Sequence, residues 1–198
     1  AMPIQHLIDT YKAFGFGDAT GLGLTGESAG LMPQRRYWGQ LDRATFAFGY
    51  GLMVTPLQLA HVYATIGSYG IERPLSITRI DPPVMGTRVM PEQIVHEVEH
   101  MMESVALPGG GGTKAAVRDY RVAVKTGTAK KIGPDGKYID KYVAYTAGVA
   151  PASNPKFALV VVMNDPSNGS YYGGAVSAPV FSQIMGDVLR LENVMPDG

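Results

Sequence analysis

The 198-residue chain has no cysteine, which excludes disulfides and thiolate metal sites and leaves oxidising and reducing compartments equally open. It also lacks net charge. Lysine plus arginine (17) balances aspartate plus glutamate (17), so no bulk field favours nucleic acid or an anionic membrane surface. No apolar run approaches the ~18 residues of a membrane span, and Ala1-Met2-Pro3 does not begin a signal peptide. Any export signal or membrane anchor is therefore expected outside this stretch. Internal repeats and domain linkers are missing as well. What remains, 45% hydrophobic and 17% charged, is a globular composition sufficient for one substantial core.

Apolar spacing predicts a helix from Ile4 to Phe14, then a Gly-rich stretch, 15–51, that is mostly loop. Thr55-Pro56-Leu57-Gln58 is a strong helix start: Thr caps, Pro takes the first helical position and Gln closes a capping box. That helix should end near Ser68-Gly70. Leu75–Ile80 is a candidate strand, and Pro91 should open a helix running to about Leu107. Strands follow at 120–129, 142–150 and 156–164, with connections short enough to require antiparallel neighbours. A last helix, about 177–193, carries Val180, Phe181, Ile184, Met185, Val188 and Leu189 on the stripe expected to pack on the sheet. The predicted class is α+β, a small antiparallel sheet packed by helices.

Several motif matches fail on context. His96-Glu97-Val98-Glu99-His100 has the zinc-peptidase spacing. At ~100° per residue, however, Ile94, Val95, Met101, Met102 and Val105 cluster within about 60° of Val98. Both histidines then fall opposite, on what should be a solvated face with Glu92, Glu99 and Glu103. Gly21-Leu22-Gly23-Leu24-Thr25-Gly26 fits G-x-G-x-x-G, yet no strand precedes it and no helix opens there. Ser153-Asn154-Pro155-Lys156 fits S-x-x-K, but Pro155 and the flanking strands make it a turn. No metal site or cofactor is expected.

One constellation survives. Val122-Ala123-Val124 runs straight into Lys125-Thr126-Gly127-Thr128, the K-T-G-T box of acyl-serine enzymes. A fixed cation and two hydroxyls beside a glycine suit the gripping of a substrate carboxylate along a strand. An extended peptide could pair with that strand, and backbone N–H groups near Thr128 could polarise its carbonyl. Alternation puts Thr126 and Thr128 on one face and Lys125 on the other, so a twist or bulge would have to bring the lysine round. The companion boxes, S-x-x-K with the nucleophile and S-x-N, have no usable counterpart in the chain.

The wider sequence resembles the C-terminal half of the transpeptidase domain of class B penicillin-binding proteins, above all the septal enzymes of Gram-negative bacteria. The likeness rests on Phe48-Gly49-Tyr50-Gly51 through Ala60, Arg73-Pro74-Leu75, Lys125 through Lys131, Tyr145 through Pro151, and Tyr172-Gly173-Gly174 through Phe181. It implies that residues 1–198 are the C-terminal part of one penicillin-binding/β-lactamase-like domain, with nucleophile, pedestal and membrane anchor preceding Ala1. It further implies serine acyl transfer on the D-Ala-D-Ala end of peptidoglycan stem peptides, with β-lactams trapping the same serine. Division-machinery proteins would be its partners, and the periplasmic face of the inner membrane its location. Lys125, Thr126, Gly127 and Thr128 would bind substrate, with Tyr171 and Tyr172 on a loop bordering the cleft. No catalytic nucleophile is expected in this chain, which alone should be inactive. The alternatives are a non-catalytic module binding wall peptides or division partners, and a zinc peptidase on the His96–His100 helix.

Overall fold

The computed structural model describes residues 2–167 and 169–198. Helix α1 (Ile4–Ala13) lays a half-buried apolar side toward the loop region that follows. Within that region a short helix, α2 (Gln40–Phe46), forms where only loop was expected. Asp42 accepts a hydrogen bond from Gly39 N (3.1 Å), and the buried Phe46 ring sits between Tyr11 and Trp38. Tertiary anchoring of one aromatic thus overrides a weak local signal.

Helix α3 (Pro56–Gly67) starts as its capping residues predict. Thr55 Oγ1 accepts from Gln58 N at 3.0 Å, and Gln58 Oε1 accepts from Thr55 N at 2.8 Å. The buried Gln58 amide also donates to Asp18 O and Ala29 O, pinning the Gly-rich stretch to the helix. The candidate strand at 75–80 does not form. Ser76 Oγ donates to Thr78 O and accepts from Thr78 N, closing a local turn with Ile77 and Ile80 left exposed. A two-residue ladder forms instead between β1 (Ile71–Glu72) and β2 (Thr87–Arg88).

Helix α4 (Glu92–Glu103) departs from the expected orientation. Its buried side is Val95, Glu99 and Met102, with Val98 half-buried, while Ile94 and Met101 are exposed. The covered arc is therefore rotated roughly 50° from Val98, at 100° per residue. The turn after α3 explains this: Tyr69 packs its ring on His96 (4.7 Å) and Gly70 lies against Val95, covering the Glu99 flank. Glu99, expected in solvent, is buried.

The principal sheet is antiparallel in the order β3 (Ala123–Ile132), β4 (Tyr138–Ala150), β5 (Phe157–Asn164). The first hairpin is longer than predicted because its turn is self-satisfied, Gly133 N donating to Lys137 O and Gly136 N to Gly133 O. The second hairpin turn contains Ser153–Lys156, so that S-x-x-K match is no helix. Helices α5 (Gly173–Val176) and α6 (Ala178–Leu191) complete the chain; α5 was not foreseen. On one sheet face, Val124 and Val161 pack against Phe181, Met185 and Leu189, all buried; Ile184, expected on that stripe, is exposed. On the other, Ala123, Ala147 and Val149 meet Tyr63 of α3 and Met102 of α4. Each large buried side chain contributes about 1.5–3 kcal/mol. The result is a helix–sheet–helix sandwich with β3 as a marginal strand.

Candidate functional site

Lys125–Thr128 lies within β3, which among the described residues has a ladder partner, β4, on one side only. Registers Lys125↔Ala147, Thr126↔Thr146, Gly127↔Tyr145 and Thr128↔Ala144 are regular, and the irregularity comes only after Lys130. Alternation therefore puts Thr126, Thr128 and Lys130 on the α5/α6 face, and Lys125 and Gly127 on the α3/α4 face. No bulge brings Lys125 round. Its exposed side chain instead turns back along the strand, Nζ donating to Thr126 O at 2.6 Å.

Gly127 is required by packing within the sheet. A Cβ there would run into the ring of Tyr145 on β4, a half-buried phenol that burial pushes above its ordinary pKa. The close approach that the glycine allows is thus made by a protein side chain. Two further glycines seat the first turn of α5. A Cβ on Gly173 would lie 2.6 Å from both Gly127 O and Tyr145 O, and one on Gly174 would meet Gly111 O. Gly112 approaches Thr126 Cγ2, which gives the Gly109–Gly112 run a packing role beside the strand. Gly173 N donates to Thr128 Oγ1 at 3.0 Å.

Tyr171 and Tyr172 lie beside this strand in an aromatic ladder. Tyr142 and Tyr171 stack at 3.9 Å and 9°, Tyr171 and Tyr172 follow at 4.5 Å, and their hydroxyls are 3.3 Å apart. Lys130 Nζ sits 5.6 Å over the Tyr142 ring and 3.7 Å from Asp140. A hydrogen bond donated to Asp140 raises the Tyr142 phenol, and one donated to Tyr171 raises that of Tyr172. Sequence reasoning missed Tyr142 and Lys130. The period-two spacing Thr126, Thr128, Lys130 was the available signal for the latter, because it puts that lysine, and not Lys125, on the threonine face.

The rejected motifs occupy different ground. His96 and His100 lie on the outer face of α4, and His96 Nδ1 is 3.5 Å from Glu99 Oε2. Among the described residues no group of three His, Cys, Asp or Glu is arranged to hold a metal ion. Gly21, Gly23 and Gly26 all adopt positive φ in a loop without strand or helix. No described helix is long and apolar enough to cross a membrane.

Residues 1–186 match the family model described as penicillin binding protein transpeptidase domain. The chain belongs to that family. It is 72% identical over 197 residues to peptidoglycan D,D-transpeptidase FtsI of Escherichia coli strain K12, covering 100% of this chain and 34% of that protein. It is 39% identical over 193 residues to the probable peptidoglycan D,D-transpeptidase PenA of Neisseria gonorrhoeae, covering 97% of this chain and 33% of that protein. The transpeptidase domain of Burkholderia pseudomallei penicillin-binding protein 3, solved in its apo form, superposes with a TM-score of 0.92 at 38% identity, over 100% of this chain and 60% of that one. This penicillin-binding protein chain thus spans about a third of the length of the curated relatives it matches.

Proposed function

We propose that the chain is the substrate-binding part of a serine D,D-transpeptidase that cross-links peptidoglycan stem peptides during cell division and is acylated by β-lactams. The observation that carries this reading is the K-T-G-T box on the marginal strand β3, the Thr128 hydroxyl against α5, in a chain of the transpeptidase family. Thr126 and Thr128 donate to the terminal carboxylate of a D-Ala-D-Ala peptide, while Lys125 supplies positive charge at the strand edge. The unpaired side of β3 accepts the peptide by strand addition. Tyr171 and Tyr172, with Tyr142, form a wall beside it that contacts apolar parts of the ligand.

The reacting serine and its lysine base come from a part of the protein preceding residue 1. The lysine base takes the serine hydroxyl proton as the oxygen attacks the penultimate D-Ala carbonyl, the C–N bond to the terminal D-Ala breaks, and the leaving amine takes that proton from the base. A stem-peptide amine then attacks the acyl-enzyme, releasing the serine. On this reading the protein works at the periplasmic face of the inner membrane with division-machinery partners, where peptidoglycan cross-linking during division would take place.

A fluorescent penicillin tests the division of labour. The intact protein should label covalently and stoichiometrically, whereas residues 1–198 alone should not. Stoichiometric labelling of the isolated chain would overturn the assignment of the nucleophile to another segment. Absence of labelling in the intact protein would favour a non-catalytic wall-peptide module.

A further inference from the structure

We infer that Thr146 and Ser177, a fully buried hydroxyl pair behind the K-T-G-T strand, act as positioning residues that set the Thr128 hydroxyl as a hydrogen-bond donor. This deepens the carboxylate-binding reading of β3 and rests on it.

Both side chains are fully buried, on β4 and at the start of α6, and their oxygens are 2.8 Å apart. Each hydroxyl has a single proton. Ser177 Oγ donates its own to Gly173 O at 3.0 Å, so toward Thr146 it accepts, and Thr146 Oγ1 is the donor. Gly173 O is thereby held by Ser177 through both hydroxyl and backbone N–H (3.1 Å). The same residue's N–H points the other way, to Thr128 Oγ1 at 3.0 Å. Thr146, Ser177, Gly173 and Thr128 therefore form one directional chain, with Gly173 as its pivot. The missing Cβ lets that pivot sit against Gly127 O and Tyr145 O.

The direction has a chemical consequence. A lone pair of Thr128 Oγ1 is occupied by the Gly173 N–H, so the Thr128 proton is left to donate elsewhere, as a carboxylate requires. Accepting one bond also polarises the hydroxyl and strengthens the bond it donates. Burying two hydroxyls confers little net stability compared with an apolar pair of the same shape, because desolvation offsets most of the bond. Their value lies in fixing the first turn of α5 against β3.

The test uses the intact protein and the acylation kinetics of a carboxylate-bearing β-lactam, with thermal unfolding of each variant alongside. Thr128→Val should slow acylation on the order of tenfold, the loss of a bond to a charged group. Thr146→Val, nearly isosteric, and Ser177→Ala should each slow it by about fivefold through misplacement of the donor. Thr146→Ser, which keeps the hydroxyl, should restore the rate. In the Thr128→Val background, Ser177→Ala should cause no further loss, an effect that a merely structural role would not produce. Wild-type rates in Thr146→Val and Ser177→Ala, with Thr128→Val impaired, would overturn the positioning role alone, as would losses that multiply in the double variant. A wild-type rate in Thr128→Val would remove the carboxylate reading and this inference together.

Discussion

Glu99 should make the fold less stable as pH rises through neutrality. The residue is 4% exposed on α4, Oε1 has no hydrogen-bond partner among the described residues, and Oε2 has His96 Nδ1 at 3.5 Å. Burial pushes its pKa from 4.5 to about 7; His96 pulls it down and Glu103 pushes it further up. Tyr69 and Glu92 are the other titratable groups nearby, and Glu103 is itself engaged by Arg121 at 2.8 Å. Between these two pH values the native carboxyl keeps a proton that the unfolded chain has lost. The native state therefore binds more protons, and stability falls as pH rises from about 4.5 through about 7, then levels off. The full effect is about 3 kcal/mol at most, from 1.36 kcal/mol per pH unit. Glu99→Gln preserves the shape and cannot ionise. It should be near neutral at pH 4.5 and stabilising at pH 8, raising Tm there. Thermal unfolding of the intact protein and the variant at both pH values reads this directly. A Tm difference that does not change with pH, or a Gln variant less stable at pH 8, would refute the reasoning.

Three further outcomes are expected. Gly127→Ala drives a methyl into the Tyr145 ring and should cost about 1–3 kcal/mol in unfolding experiments, with acylation impaired as β3 shifts. Gln58→Ala removes the capping-box acceptor and the two bonds to Asp18 O and Ala29 O; it should lower Tm and open residues 15–30 to limited proteolysis. Lys125→Ala in the intact protein should slow acylation by at least tenfold, about 1.4 kcal/mol of transition-state stabilisation, and unchanged kinetics would count against its role at the strand edge.

What was legible in the sequence was what local chemistry decides. The Thr55-Pro56-Gln58 start of α3 follows from groups within one turn, and the three antiparallel strands follow from alternation and short connections. Helical periodicity in α4 told which residues share a face but not which flank a neighbouring turn would cover; hence Glu99 was assigned to solvent and Met101 to the core. The Leu75–Ile80 strand failed because a serine hydroxyl offered the backbone a competing turn. At the candidate site, the K-T-G-T box is visible in the sequence itself, whereas Tyr171 and Tyr172 enter only through the family resemblance. That β3 is marginal depends on strand order, and the Thr146–Ser177 pair joins residues 31 positions apart, so neither has a local signature.

The most direct test of the central claim is a crystal structure of the intact protein acylated by a β-lactam. The account predicts the ligand carboxylate within hydrogen-bond distance of the Thr126 and Thr128 hydroxyls, with Lys125 Nζ released from Thr126 O toward the ligand. A carboxylate bound away from β3, with both threonines facing solvent, would contradict it.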